Sequence, residues 1–360
     1  YGYKHFVAEP AYRAQPVREL GRLYKLVQQL IDYHAAVREL PERERQLGDQ
    51  QAHVAAQRDA HQAHPQDKKL GKILRDAQQQ VAETAAKCDE LRGKIAAVEH
   101  DPQLAALARE HADIERAVLD QTARLHAGDL ENLALWHEFL PLCKADMRRI
   151  YDRLGITFDH ELGESFYHDR LAAVVQDLTA RDLARTSDGA VCVFLPEYDT
   201  PMIIRKQDGA FLYATTDLAT IQYRMEQWQP DEMLYVVDHR QGEHFGKLFA
   251  TARLWGYDQV TLRHISFGTV LGEDGRPYRT RSGEVVGLEG LLDEAIRRAH
   301  AVVADNDDSK PGGPELSAEQ RQEIAQTVGH AALKYADLSH NRTSDYVFSY
   351  DKMVALEGNT

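Results

Sequence analysis

A chain of 360 residues with 43% hydrophobic content has room for two ordinary domains and enough apolar material for a buried core, which excludes a disordered chain. Its 57 acidic residues outnumber its 43 Lys and Arg by 14, so a protein whose whole surface coats nucleic acid or an anionic membrane is disfavoured, while a local basic groove stays open. No apolar run approaches the ~18 residues of a membrane span, the start lacks the order of a signal peptide, and Cys88, Cys143 and Cys192 are too few and too widely spaced for a disulfide framework or a zinc site.

The expectation is therefore a soluble, cytoplasmic chain with reduced thiols. It opens on Tyr1 without Met and stops at Thr360, and it reads as a piece of something longer.

Composition up to residues 126–130 is rich in Ala, Gln, Glu, Arg and His and poor in aromatics, which is helix composition. From Leu70 to Val98, apolar or small residues step by four and three through Leu74, Ala77, Val81, Thr84, Cys88, Leu91 and Ile95, the seam of a coiled coil. A single seam needs a partner. Glu42 to His64 is the nearest candidate, with a thin seam of its own (Leu47, Val54), and the breaker His64-Pro65-Gln66-Asp67 turns the two arms into an antiparallel hairpin. Asp101-Pro102 then caps a further helix that places Leu104, Leu107, Ile114 and Val118 on one face and stops at Gly128.

After Gly128, short β-branched or aromatic runs alternate with amphipathic helices, the signature of an α/β domain. Ala190 to Leu195 and Met202 to Arg205 read as strands, with Asp208-Gly209 as a hairpin turn into Ala210 to Tyr213. Met233 to Asp238 and Val260 to Ile265 are buried strands joined to their neighbours by helices Thr216 to Trp228 and Gly242 to Gly256. Residues 190–270 are thus expected to form a mostly parallel sheet with Tyr213, Gln241 and Phe267 at its carboxyl edge. Asp305 to Pro314 reads as a polar linker, and Ser317-Ala318-Glu319-Gln320 as a capping box that opens a helix towards Leu338.

Ligands of parallel sheets bind beyond the carboxyl ends of the strands, which singles out Tyr213, Asp217 and Gln241. A phenol, a carboxylate and an amide oxygen together suit a planar cation with several N–H donors, a guanidinium better than an ammonium. Asp217 is equally a first-turn residue favoured by the helix dipole. Further on, His264-Ile265-Ser266-Phe267-Gly268 leads into a loop with Arg276, Arg279, Thr280, Arg281 and Ser282. Arginine forks, hydroxyls and backbone amides in such a loop can clamp phosphate, although a solvated basic hairpin has the same composition.

Seven stretches then settle the order: Gly163-Glu164-Ser165-Phe166-Tyr167, Arg205 to Gly209 with Leu212 to Ala219, Tyr235 to Asp238 with Gln241 and His244-Phe245, His264 with Phe267-Gly268, Thr280 to Gly283, Lys334 to Leu338, and Leu356 to Thr360. In this succession the chain resembles the arginyl-tRNA synthetase family, over residues 129–360 almost continuously and over the first thirty. The resemblance implies a class I, Rossmann-type α/β catalytic domain with a mostly parallel sheet, while residues 35–126 lie outside the family's pattern and read as an enlarged helical insertion. The chain is thus expected to divide into a helical start (1–34), a coiled-coil hairpin insertion (35–126), the catalytic domain (127–304) with a degenerate KMSKS loop at 278–283, a linker (305–316) and a helical segment (317–360) leading to an anticodon-binding domain. The HIGH signature is absent, and the family places it upstream of Tyr1.

The resemblance also implies that Tyr213, Asp217 and Gln241 hold the arginine side chain, that His244, His264, Phe267 and Gly268 line the ATP site, and that Arg279, Thr280, Arg281 and Ser282 act on the phosphates during catalysis. The reaction is ATP-dependent activation of arginine and its transfer to tRNA(Arg). ATP brings Mg2+ on its phosphates with no dedicated protein cage, the partners are arginine, ATP and tRNA rather than a membrane, and the full-length form is expected to be monomeric. Two other readings stay open on the residues alone: an interaction protein working through the hairpin, and a nucleotidyltransferase that handles no RNA.

Overall fold

The structure, a computed structural model, describes residues 1–272, 275 and 287–349. It divides into two compact units, Tyr1–Arg149 and Ile150–Thr360.

The first unit is helical. After α1 (Gly2–Phe6) and α2 (Glu9–Ala14), α3 runs unbroken from Pro16 to Ala63 with Pro41 inside it. The sequence places a helix start near Glu42; α3 instead passes through that point and through the expected division at residues 34/35. An interior proline costs a helix one hydrogen bond. Here Ala36, Leu40 and Leu47 keep the seam going on either side of it, and Arg43 reaches back across Pro41 to Glu39 at 2.8 Å. The chain turns at His64 to Asp67, and α4 (Lys68–Glu99) starts under an Asp67 cap that accepts from the amides of Lys69 (2.8 Å) and Leu70 (3.3 Å).

All nine seam positions from Leu70 to Val98 are buried or half-buried, and α3 lies antiparallel against them, as the 2.7 Å pair of Arg92 with Glu44 shows. The α3 side of the seam is polar: Arg43 and Gln50 sit half-buried between Leu40, Leu47 and Val54, and Gln57 and His61 sit half-buried beyond Val54. At the base of the hairpin, Leu30, Val98, Ala108 and Ile114 form a buried core with Phe6, Val27, Leu104, Leu107 and Val118 packed around it. The helix expected from Asp101 to Gly128 is two, α5 (Pro102–Glu110) and α6 (Ile114–His126). The break comes from packing: His111 bonds the Tyr1 hydroxyl at 2.8 Å and its ring packs edge-on against Phe6. The predicted apolar face still converges on one core. Gly128, at φ 83°, ends the run, and α7 (Leu130–Leu154) follows.

The second unit carries the sheets. After α8 (Leu171–Ala180), β1 (Ala184–Ser187), β2 (Ala190–Val193) and β3 (Met202–Arg205) form an antiparallel sheet in that order. This corrects the expectation that residues 190–270 are mostly parallel. Beyond the Asp208-Gly209 turn only Phe211 bridges back to Arg205, and Tyr213 begins a helix, α9 (Tyr213–Gln227), rather than ending a strand. The cause is local: the buried Thr215 hydroxyl donates to the carbonyl of Ile204, taking the acceptor that a longer hairpin would use.

The Rossmann-type unit follows as β4 (Glu232–Asp238), α10 (Gly242–Trp255) and β5 (Thr261–Phe267), with β4 and β5 parallel from Glu232↔Thr261 to Asp238↔Phe267. Val174, Leu178, Val193, Ile204, Leu218, Ile221, Leu248 and Ala252 join these elements in one core.

Beyond β6 (Val270–Leu271), α11 (Leu288–Asp308) and α12 (Ala318–Leu338) pack closely. A Cβ at Gly329 would come within 2.8 Å of the Ile296 backbone, so only glycine allows this crossing. The Ser317/Gln320 capping box forms as expected. The polar linker is shorter than expected because α11 runs on to Asp308, held by the buried Asp307 carboxylate. That group accepts from the amides of Glu315 and Leu316 (3.0 Å each) and pairs with Arg321 at 2.7 Å. After α12 the chain does not stay helical: β7 (Tyr346–Val347) returns to lie parallel beside β6.

Candidate active site

The carboxyl ends of β4 and β5 lie side by side at Asp238 and Phe267. The chain leaves β4 through a short turn, His239–Gln241, where Asp238 caps the Arg240 amide and grips its guanidinium at 2.9 and 2.8 Å. That fork holds the Asp238 carboxyl well below the usual carboxylate range. Gln241 is the N-cap of α10 and His244 lies in its first turn.

On α9, Tyr213 and Asp217 are one turn apart and share a face. His244 Nε2 lies 2.6 Å from Asp217 Oδ2, both side chains about two-thirds covered. The structure therefore joins the two helix starts through one hydrogen bond and brings His244, expected on the ATP side, to the carboxylate expected to read arginine. Tyr213 is 71% exposed, and neither its hydroxyl nor the Gln241 amide makes a side-chain hydrogen bond among the described residues, so both are available to a ligand. On β4, Tyr235 is buried and its phenol is pushed up to about 12, chiefly by burial, with the Asp217 charge acting the same way. Arg224 lies over its ring at 5.5 Å.

On the other strand, His264 stacks on Phe245 at 4.8 Å and its Nε2 lies 3.0 Å from the Val237 carbonyl. The Phe267 side chain is 40% exposed at the strand end. Gly268 serves a close approach: its amide donates to the Arg342 carbonyl at 2.9 Å, and a Cβ there would stand 2.3 Å from the Ser344 carbonyl oxygen. Asp345 accepts from the Thr269 amide at 2.6 Å, and Arg342 donates to the Ser266 carbonyl. The segment 341–348 is thus stitched onto the chain leaving β5. Sequence reasoning missed Arg342 and Asp345, because nothing local signals a pairing across 76 residues.

Arg279, Thr280, Arg281 and Ser282 lie outside the described residues. Among the described residues, no group of three or more His, Cys, Asp or Glu is placed to hold a metal ion, and no helix is long and apolar enough to cross a membrane.

Residues 57–350 match the model of the family described as tRNA synthetases class I (R), catalytic domain. The arginine–tRNA ligase of Rhodopirellula baltica is 53% identical over the whole of this chain and 55% of its own length. That of Chromobacterium violaceum is 42% identical over 70% of this chain and 45% of its own length. The chain thus spans about half the length of the curated relatives it matches. Among solved structures, arginyl-tRNA synthetase from Plasmodium falciparum superposes with a TM-score of 0.59 at 26% identity, covering 72% of this chain and 43% of its own. The Thermus thermophilus arginyl-tRNA synthetase shares the fold, with a TM-score of 0.55 at 19% identity over 74% of this chain and 48% of its own.

Proposed function

Because the chain belongs to the family of class I tRNA synthetases for arginine, we propose that it carries the arginine- and ATP-binding portion of an arginine–tRNA ligase. In that reaction the arginine carboxylate attacks the α-phosphorus of ATP and pyrophosphate leaves. A terminal ribose hydroxyl of tRNA(Arg) then attacks the carbonyl of the arginyl-adenylate, and AMP leaves.

The observation that supports this best is the bond between Asp217 on α9 and His244 on α10 near the carboxyl end of β4, with Tyr213 one turn before Asp217 and Gln241 at the start of α10. In this reading Tyr213, Asp217 and Gln241 take the guanidinium, and His244 belongs with them through Asp217. His264, Phe267 and Gly268 line the adenine side. Arg281, with Arg279, Thr280 and Ser282, neutralises charge on the departing pyrophosphate, a role whose removal costs ~10²–10³ in rate when one preorganised donor is lost. Mg2+ enters on the ATP phosphates and supplies charge neutralisation there. Lysine is rejected because it leaves the Asp217 and Gln241 acceptors unpaired in the closed complex, which can give ~10⁴ discrimination without editing.

The protein works as a monomer in the cytoplasm. The test is arginine-dependent formation of arginyl-tRNA by the full-length protein: charging with arginine and not lysine supports the reading, and no charging with either overturns it.

A further inference from the structure

The tip of the α3–α4 hairpin breaks a rule that the rest of the hairpin obeys. Along its lower part, Arg38, Arg43, Arg45, Lys87, Arg92 and Lys94 are each held by a carboxylate within 3.0 Å. At the tip, Arg58, Lys68, Lys69, Lys72 and Arg75 are all exposed, and none makes an ion pair among the described residues. Three of the five are also placed against the helix dipole. The first turn of α4 contains no acidic residue and opens with Lys68 and Lys69, with Lys72 one turn on, although that end of a helix favours negative charge. Helix stability therefore does not account for them.

Their spacing makes one feature of them. Lys68, Lys72 and Arg75 follow the i, i+4, i+7 pattern and form a stripe on the face of α4 opposite the seam residues Leu70, Leu74 and Ala77. On a chain of net charge −14, the stretch from Arg58 to Asp76 carries five Lys and Arg against three Asp (Asp59, Asp67 and Asp76), none of which forms an ion pair with them among the described residues, which leaves a local positive excess. Ile73 is the one large exposed apolar side chain beside it. That is too little for the desolvated centre of a protein interface or the apolar face of a membrane-surface helix. What remains is attraction to a regularly charged polyanion.

We propose that the hairpin tip docks the phosphate backbone of the transfer RNA substrate. The identity of the polyanion rests on the ligase reading; the patch itself does not. Contacts of this kind are sequence-independent and release condensed counterions, each neutralised phosphate adding about 0.7 to 0.9 to the slope of log affinity against log salt.

The test compares the full-length enzyme with K68Q/K69Q/K72Q/R75Q and with a control, K87Q/R92Q, that removes paired cations from the same helix. The four tip positions and Arg92 are exposed and Lys87 is half-buried, and circular dichroism checks that the helices persist in each variant. Binding of tRNA(Arg) is measured between ~50 and ~200 mM salt. The tip variant is expected to bind about tenfold or more weakly at low salt with a slope smaller by about 2 to 3, while the control is unchanged and the KM values for arginine and ATP do not move. Equal affinity and slope in all three proteins would overturn the proposal. So would a tip variant that loses binding to anionic vesicles or to an acidic protein while keeping that to tRNA. If the unmodified enzyme charges no tRNA with arginine, the ligase reading fails; if it charges normally and the tip variant does too with unchanged tRNA affinity, the docking proposal alone fails.

Discussion

Asp217 has two carboxylate oxygens, and His244 engages Oδ2 at 2.6 Å. A guanidinium that reads both oxygens makes a charge-assisted, bidentate contact, whereas an asparagine offers one acceptor and turns an NH₂ group towards the cation. Asp217→Asn is therefore expected to cost ~2–4 kcal/mol of arginine binding, about two to three decades in apparent affinity, with the ATP constant little changed. Steady-state kinetics with each substrate varied in turn reads this directly. Equal losses for both substrates, with a lower melting temperature, would instead mark Asp217, which lies past the first turn of α9, as a residue that holds the fold through its bond to His244. Gln241 was legible in the sequence because it follows the end of β4, whereas Tyr213 and Asp217 were singled out by a strand that the structure replaces with the start of α9 and by the known succession they match. The bond from Asp217 to His244 was not legible, since hydrophobic period and turn chemistry say nothing of which side chains meet across two helices.

At the scale of elements, the signals that depend on near neighbours were readable: the Asp67 cap, the seam from Leu70 to Val98, the capping box at Ser317 and the βαβ unit around α10. What misled was tertiary override. Pro41 looks like a helix boundary and is absorbed by packing, while residues 111–113 look helical and are turned by the contacts of His111. The consequence for the hairpin is a shifted boundary, because Val98 belongs to the core at its base. Excising residues 47–88 and closing the arms with a short turn is expected to leave a cooperative thermal transition, while Leu30→Ala, which opens a cavity in that core, should cost ~2–5 kcal/mol. Circular dichroism melts of both variants check the pair of outcomes.

Asp307 gives the second unit a pH dependence with a definite sign. The amides of Glu315 and Leu316, with Arg321 and Lys310, hold its carboxyl well below the usual carboxylate range. Its contribution is thus complete above the unfolded value near ~4 and is lost as pH falls below it. Asp307→Asn should lower the melting temperature at pH 7, and the gap to the unmodified protein should close in acid. A gap that stays constant from neutral pH to pH 3 would show that Asp307 carries no such charge-dependent load.

Across the whole molecule the three thiols form a built-in set of reporters. Cys88 lies in the hairpin seam and Cys192 in β2, both buried, whereas Cys143 is partly exposed. Burial pushes the Cys192 thiol up, which lowers its thiolate fraction further. A thiol reagent is expected to modify Cys143 first under native conditions, with Cys88 and Cys192 reacting only as the first and second units unfold; mass spectrometry of timed, quenched samples would show the order. Immediate labelling of all three would contradict the burial described for the seam and the sheet.

The repeating seam also makes the hairpin a ruler with fixed gradations. Seven residues added to both arms together restore every seam contact and advance the tip by ~10 Å, since each helical residue rises ~1.5 Å. Three or four residues in both arms advance it by only ~5 Å and also shift the phase, which swings the tip around the axis. Length and bearing of the hairpin are therefore adjustable by small insertions and deletions far from Leu30 and its neighbours, and a lineage could lengthen or shorten its reach without rebuilding the core that holds it.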